Sequence, residues 1–190
     1  MSAARALTEK QAKIVFAFIN QYRNASRNAA MFSLSYYSGL RVKEIASLKV
    51  GDVLTEAGEV REVVRLSAEQ TKGSYARDIF LNTACRKHVK AHINNLRFSD
   101  ADDYLIQVMG SRKGFKPNSL AVTFKNLYDA AGLDGCSSHS GRKAAISALA
   151  NKGVGISVIQ KFSGHRSLQA VQHYISTNEV LVKNAAELIK

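Results

Sequence analysis

The feature that most restricts the fold is a change of period between residues 60 and 81. Residues 60–67 (VREVVRLS) and 76–81 (ARDIFL) read as strands, and the polar run QTKGSY between them reads as a turn. The spacing on either side is helical. Thr8 and Gln11 have the spacing of a capping box ahead of Ile14, Phe16, Phe18 and Ile19. A second helix fits residues 27–38, with Gly39 as its stop, and a short third fits 42–48. Helix returns at 83–96, at 119–131 before Gly132, and at 140–151, 155–162, 168–175 and 179–189. Residues 50–53 are expected to add a third strand beside the hairpin, and 104–108 a short one of their own. The expected class is α+β: a mainly helical domain carrying a small antiparallel sheet of about three strands.

A chain of 190 residues, 46% of them apolar, suits one domain with a substantial core. No apolar run reaches the roughly 18–20 residues that cross a bilayer, and MSAARALTEKQ lacks the apolar centre of a secretory signal. The expected setting is cytoplasmic. Cys85 and Cys136 are too few for a disulfide framework or a cysteine-rich zinc site, and are expected as buried thiols.

The net charge of +12 is unevenly spread. No carboxylate occurs between Asp134 and Glu179, a stretch that holds Arg142, Lys143, Lys152, Lys161, Arg166 and three of the five histidines. The first 43 residues carry seven lysines or arginines and one acid, Glu9. Such a field implies a polyanionic partner, commonly DNA or RNA. A membrane surface fits less well, because the basic residues do not line one strongly amphipathic helix.

Cutting DNA without a metal needs a short list of groups. Guanidinium forks match the non-bridging phosphate oxygens, a general acid protonates the departing oxygen, and a covalent nucleophile keeps the bond energy for resealing. Arg41 lies in SGLRVKEIASLKVGD at a helix start. Lys72 lies in the hairpin turn TKGS. His139 and Arg142 lie in HSGRKAAISALANKG, His165 in FSGHRS, and Tyr174 in VQHYI nine residues later.

The order G-L-R-x-x-E-I, hairpin Lys, H-x-x-R, G-H and a tyrosine nine residues on resembles the tyrosine recombinases of the phage-integrase family. The resemblance spans residues 39–174 and joins five elements, which is far more specific than any fragment. It implies a site-specific recombinase or integrase that cuts and rejoins DNA through a 3′-phosphotyrosyl intermediate, with no metal and no cofactor. Arg41 and Arg142 would clamp the scissile phosphate, and Lys72 would protonate the leaving 5′-oxygen. His139 would help move the tyrosine proton, His165 would hydrogen-bond a phosphoryl oxygen, and Tyr174 would attack phosphorus. Glu44 would orient the site. Lys43, Arg112, Lys113, Lys116, Lys143 and Arg166 are candidates for DNA contact.

Two departures stand out. Many members have leucine before the second arginine and His or Arg after it, where this chain has Gly141 and Lys143. Only about 40 residues precede Arg41, so residues 1–190 are expected to be one catalytic domain of a short stand-alone type, without a separate N-terminal core-binding domain. The resemblance also implies a monomer or weak oligomer when free and a homo-tetramer on synapsed DNA. Helix 179–190 would be exchanged with a neighbouring protomer, and accessory DNA-bending proteins are conceivable partners.

Each residue alone has a plainer reading: a capping arginine, a solvated turn lysine, a packing tyrosine. His88 and His92 stand at zinc-like spacing but lack a third ligand, and a solvated basic face is the expectation there. The stripe Ile146, Leu149, Val154, Ile156 and Ile159 reads as core. A type IB topoisomerase and a non-catalytic DNA-binding regulator are the alternatives; an RNA-binding module lacks the aromatic pattern it would need.

Overall fold

The computed structural model describes residues 5–22, 24–71, 73, 75–172, 174 and 186–187. Its axis is α2 (Ala25–Tyr36), where Ala29, Ala30, Met31, Phe32 and Leu34 are all buried. Burial on every side makes it an interior helix rather than an amphipathic surface one. Helices α1 (Glu9–Ile19), α3 (Val42–Ser47), α5 (Thr83–Ile93) and α7 (Ser140–Asn151) pack around it. Small side chains allow the close approach. Ser33 Oγ lies 3.7 Å from Cys85 Sγ of α5, and a Cβ on Gly141 of α7 would stand 2.7 Å from Ser35 Oγ. Both cysteines are buried free thiols, as expected.

The capping box opens α1: Gln11 N donates to Thr8 Oγ1 at 3.2 Å and Thr8 N to Gln11 Oε1 at 3.0 Å. Gly39 follows α2 with φ +62, the left-handed conformation that suits its role as the stop. Helix α6 (Pro117–Ala130) adds Leu120, Phe124, Leu127 and Tyr128 to the core. Two short helices, α8 (Ile156–Ser163) and α9 (Leu168–Gln172), pack with α7 through Ile146, Ala150, Ile159 and Val171. Leu149, Val154 and Ile156 pack against that cluster, which is the core stripe read from the sequence.

The sheet among the described residues has two strands, β1 (Val63–Leu66) and β2 (Arg77–Phe80), paired antiparallel with Val64 opposite Ile79 and Leu66 opposite Arg77. The expected third strand at 50–53 is instead a helical turn, α4 (Val50–Val53). The physical reason is spacing. Val50 and Val53 are both buried, and residues three apart share a helix face but point to opposite sides of a strand. Asp52 fixes the turn by accepting from Lys49 N at 2.8 Å and from Gln70 Nε2 at 2.7 Å. The short strand expected at 104–108 is reduced to single bridges, Lys49 with Tyr104 and Gln107 with Gly114.

A second correction concerns His88 and His92, which do not form a solvated face. His88 stacks on Phe16 at 4.8 Å, and His92 is buried with Nε2 2.9 Å from Leu105 O. Burial holds the His92 pKa down at about 4. Among the described residues no cluster of potential metal ligands occurs, and no helix is long and apolar enough to cross a membrane. The expected helix at 179–189 falls outside the described residues, apart from 186 and 187.

Candidate active site

The site forms where the start of α3, the start of β2, the start of α7 and the turn after α8 meet. Arg41 is the residue before α3, so its backbone N–H is one of the orphan donors of a helix start. That N–H donates to Glu44 Oε2 at 2.8 Å, and the guanidinium gives Nη1 to Glu44 Oε1 at 3.1 Å and Nη2 to Gly164 O at 3.1 Å. The side chain remains 19% exposed, so one edge faces solvent.

Arg142 enters from the first turn of α7 and is 4% exposed. It donates to Gly39 O, to Ser163 O at 2.8 Å, and to His165 Nε2 at 3.3 Å. Burial, with Arg41 beside it, lowers its pKa to about 9, so the charge persists at neutral pH. The two guanidinia therefore grip successive carbonyls, Ser163 and Gly164, of the turn that carries His165.

These contacts fix the His165 tautomer. Ser163 Oγ donates to Gln160 O at 3.3 Å, so it accepts from His165 Nδ1–H at 2.7 Å, which leaves the Nε2 lone pair for Arg142. Burial, then the charges of Arg142, Arg41 and Arg77, hold the imidazole pKa down at about 4. The ring is neutral at pH 7 and lies 5.8 Å from the ring of Tyr174, centroid to centroid. Tyr174 itself packs against the α7–α8–α9 cluster.

Glu44 is fully buried and carries the ion-pair network. Besides Arg41 it accepts a two-pronged fork from Arg77, Nε to Oε1 at 3.1 Å and Nη2 to Oε2 at 2.9 Å. Burial raises its carboxyl pKa, but the Arg77 fork and then Arg41 outweigh this, so it titrates below the ordinary carboxylate value. Arg41, Arg77 and Arg142, set against the single carboxylate of Glu44, leave the site with an excess of positive charge, which suits an anion.

The remaining sequence candidates divide. His139 precedes α7 on an exposed position, and its backbone N donates to Ser137 Oγ at 3.3 Å. Lys72 lies outside the described residues, although its neighbours Thr71, Gly73 and Tyr75 lie close to the site. Lys43 donates to Thr71 O at 2.9 Å and lines one groove with Lys113 and Lys116. Arg166 donates to Gly73 O and lies 5.0 Å over the Tyr75 ring. Lys143 is half-buried on α7. Arg112 is engaged by Asp100 at 2.7 Å and Asp103 at 2.9 Å, and stacks on Phe98.

Sequence reasoning passed over Arg77, Tyr75 and Ser163. A signal existed for Arg77. In an alternating strand it shares the inward face with Ile79, and a charge at a core-facing position calls for a buried partner. Tyr75, whose hydroxyl donates to Gly164 O at 2.6 Å, and Ser163 gave no such signal.

Tyrosine recombinase XerD of Rickettsia conorii is 31% identical over 167 residues, covering 80% of this chain and 53% of the relative. XerC of Rickettsia bellii is 29% identical over 182 residues, 92% of this chain and 56% of the relative. The chain thus spans about half the length of these curated relatives. Among solved structures, a XerA recombinase superposes with a TM-score of 0.77 at 22% identity over 98% of this chain and 66% of the other. The Tn1549 transposon integrase, in complex with a circular intermediate DNA, gives 0.79 at 15% identity over 100% of this chain and 67% of the other. The profile described as the phage integrase family matches residues 5–180, nearly the whole chain, and the chain belongs to that family.

Proposed function

We propose that this chain is the catalytic domain of a site-specific DNA recombinase that cuts and rejoins strands through a 3′-phosphotyrosyl intermediate. The observation that carries the proposal is the convergence of Arg41, Arg142 and His165 on one turn, with the Tyr174 ring 5.8 Å from His165. A phosphate bound there would meet the exposed edge of Arg41 and compete for the Arg142 donors. The Tyr174 hydroxyl oxygen would attack phosphorus, the P–O5′ bond would break, and the 3′-phosphate would pass to the tyrosine. Lys72 would give its proton to the leaving 5′-oxygen, and His139 would help take the proton of Tyr174. These two roles rest on sequence order and family membership.

His165 has a more specific requirement. In the DNA-free site its Nε2 is an acceptor. To hydrogen-bond a phosphoryl oxygen, that nitrogen must carry a proton. The phosphate charge favours this by offsetting the arginines that hold the pKa down.

We further propose that DNA synapsis drives assembly of four protomers around two duplexes, with residues 179–190 docked on a neighbour. Clustering on DNA would raise the effective concentration of weakly associating monomers. Accessory DNA-bending proteins and a nucleoid-associated setting belong to the same reading. A nicked suicide duplex carrying a candidate site tests the activity. Covalent protein–DNA complex that forms in EDTA supports the recombinase reading; tight binding without any covalent complex would support a non-catalytic regulator. Relaxation of supercoiled DNA without exchange between sites would favour the topoisomerase alternative.

A further inference from the structure

Arg77 lies on β2, five residues beyond Lys72, and is not among the motif residues read from the sequence. Its side chain is 7% exposed. Three of its nitrogens are engaged: Nε and Nη2 fork onto Glu44 at 3.1 and 2.9 Å, and Nη1 donates to Phe162 O at 3.2 Å. Its aliphatic part lies against Gly164, where an added Cβ would stand 2.7 Å from Arg77 Cδ. With φ +64, Gly164 turns the chain beneath the guanidinium and delivers His165 to the site.

The contacts close a ring. Arg77 holds Glu44; Glu44 holds the backbone and guanidinium of Arg41; Arg41 holds Gly164 O; and the 162–164 turn returns to Arg77 through Phe162 O. Tyr75, two residues before Arg77, clamps the same Gly164 oxygen at 2.6 Å. A planar fork with fixed donor directions sets both orientation and distance, which a lysine ammonium does not. If the fork is lost, Glu44 has one cation left to orient it, and Arg41 and His165 lose their common reference.

We propose that Arg77 is a positioning residue for strand cleavage, which sets Arg41 and His165 in register by gripping Glu44 and the 162–164 turn at once. The proposal rests on the recombinase reading for its consequence in catalysis, but its structural half stands apart from it.

The test substitutes Arg77→Lys, which keeps the charge and loses the fork, with Arg77→Gln as a second variant. Single-turnover cleavage of a nicked duplex at saturating protein is measured against pH, alongside half-site affinity. Arginine side-chain and Glu44 carboxyl resonances are recorded in the DNA-free protein. The expected result for Arg77→Lys is a cleavage rate lower by roughly tenfold to a hundredfold, the scale of small misplacements, with affinity within about threefold. The Arg41 Nη–H signals should lose their protection while those of Arg142 keep theirs. In Arg77→Gln the Glu44 carboxyl, now facing only Arg41 on α3 with Arg142 and His165 beyond, should titrate higher and move the acid limb of cleavage upward.

Wild-type cleavage reports on the recombinase reading alone. The Arg41 and Glu44 signals report on Arg77 whether or not the chain cleaves. Native Arg41 and Glu44 signals in both variants would overturn the proposal. So would loss of cooperative melting and DNA binding in both, which would make Arg77 a general scaffold residue.

Discussion

Alanine at Arg41 and at Arg142 should affect catalysis alike and stability differently, because the two guanidinia are embedded differently. When Arg41 is removed, Glu44 keeps both Arg77 bonds and Gly164 O keeps the Tyr75 hydroxyl. No group is orphaned, so the expected cost in stability is below about 1 kcal/mol. When Arg142 is removed, Gly39 O, Ser163 O and His165 Nε2 all lose this donor inside the fold. At roughly 1–3 kcal/mol for each buried group left unsatisfied, the two carbonyls alone cost about 2–6 kcal/mol. That is a large part of the ~5–15 kcal/mol that holds a domain together. Each variant should lose at least about a hundredfold in cleavage, the scale for one preorganised electrostatic group. Urea unfolding, half-site binding and single-turnover cleavage on both variants provide the assay. Equal destabilisation by the two substitutions would refute the reasoning. So would an Arg41→Ala protein whose affinity falls as far as its cleavage rate, which would make Arg41 an ordinary backbone contact.

Three further outcomes follow from the same structure. His92 titrates near 4 in the fold against an ordinary 6.5, so the unfolded chain takes up its proton first. The His92 share of stability should therefore be lost as pH drops from about 6.5 through 4, by on the order of 3 kcal/mol, and His92→Gln should remove that share in urea titrations run across the window, leaving the part due to His165. Gly141→Leu should destabilise by about 1–3 kcal/mol or more, because even a Cβ there would lie 2.7 Å from Ser35 Oγ; a thermal midpoint equal to wild type would show that α7 adjusts freely. Cleavage should be unaffected by EDTA, because arginine, histidine and lysine supply the charge and the protons; activity restored only by added Mg²⁺ or Zn²⁺ would exclude this chemistry.

Much of the fold was legible because its signals are local. The Thr8–Gln11 box, Gly39 at φ +62 and the alternation in 60–81 each act within a few residues, and the structure has a cap, a stop and a hairpin there. Residues 50–53 misled because a β-branched pair favours strand in isolation. Their spacing of three and the cap from Asp52 decide for helix. Arg41, Arg142 and His165 were legible as candidates through order along the chain, and they meet at one turn. Arg77, Tyr75 and Ser163 depend on contacts between β2 and the turn after α8, which no local pattern encodes. Arg112, a candidate for DNA contact, has ion-pair partners in Asp100 and Asp103 that its place in the sequence did not signal.

The central proposal is that Tyr174 is the nucleophile. Tyr128, by contrast, is fully buried, and burial pushes its phenol up, away from ionisation. The direct measurement is to trap the covalent complex on a nicked duplex, digest protein and DNA, and locate the modified peptide by mass. The account predicts a 3′-phosphate joined to Tyr174, and no complex from Tyr174→Phe despite normal half-site binding. A covalent complex formed by the phenylalanine variant, or a modified residue other than Tyr174, would contradict it.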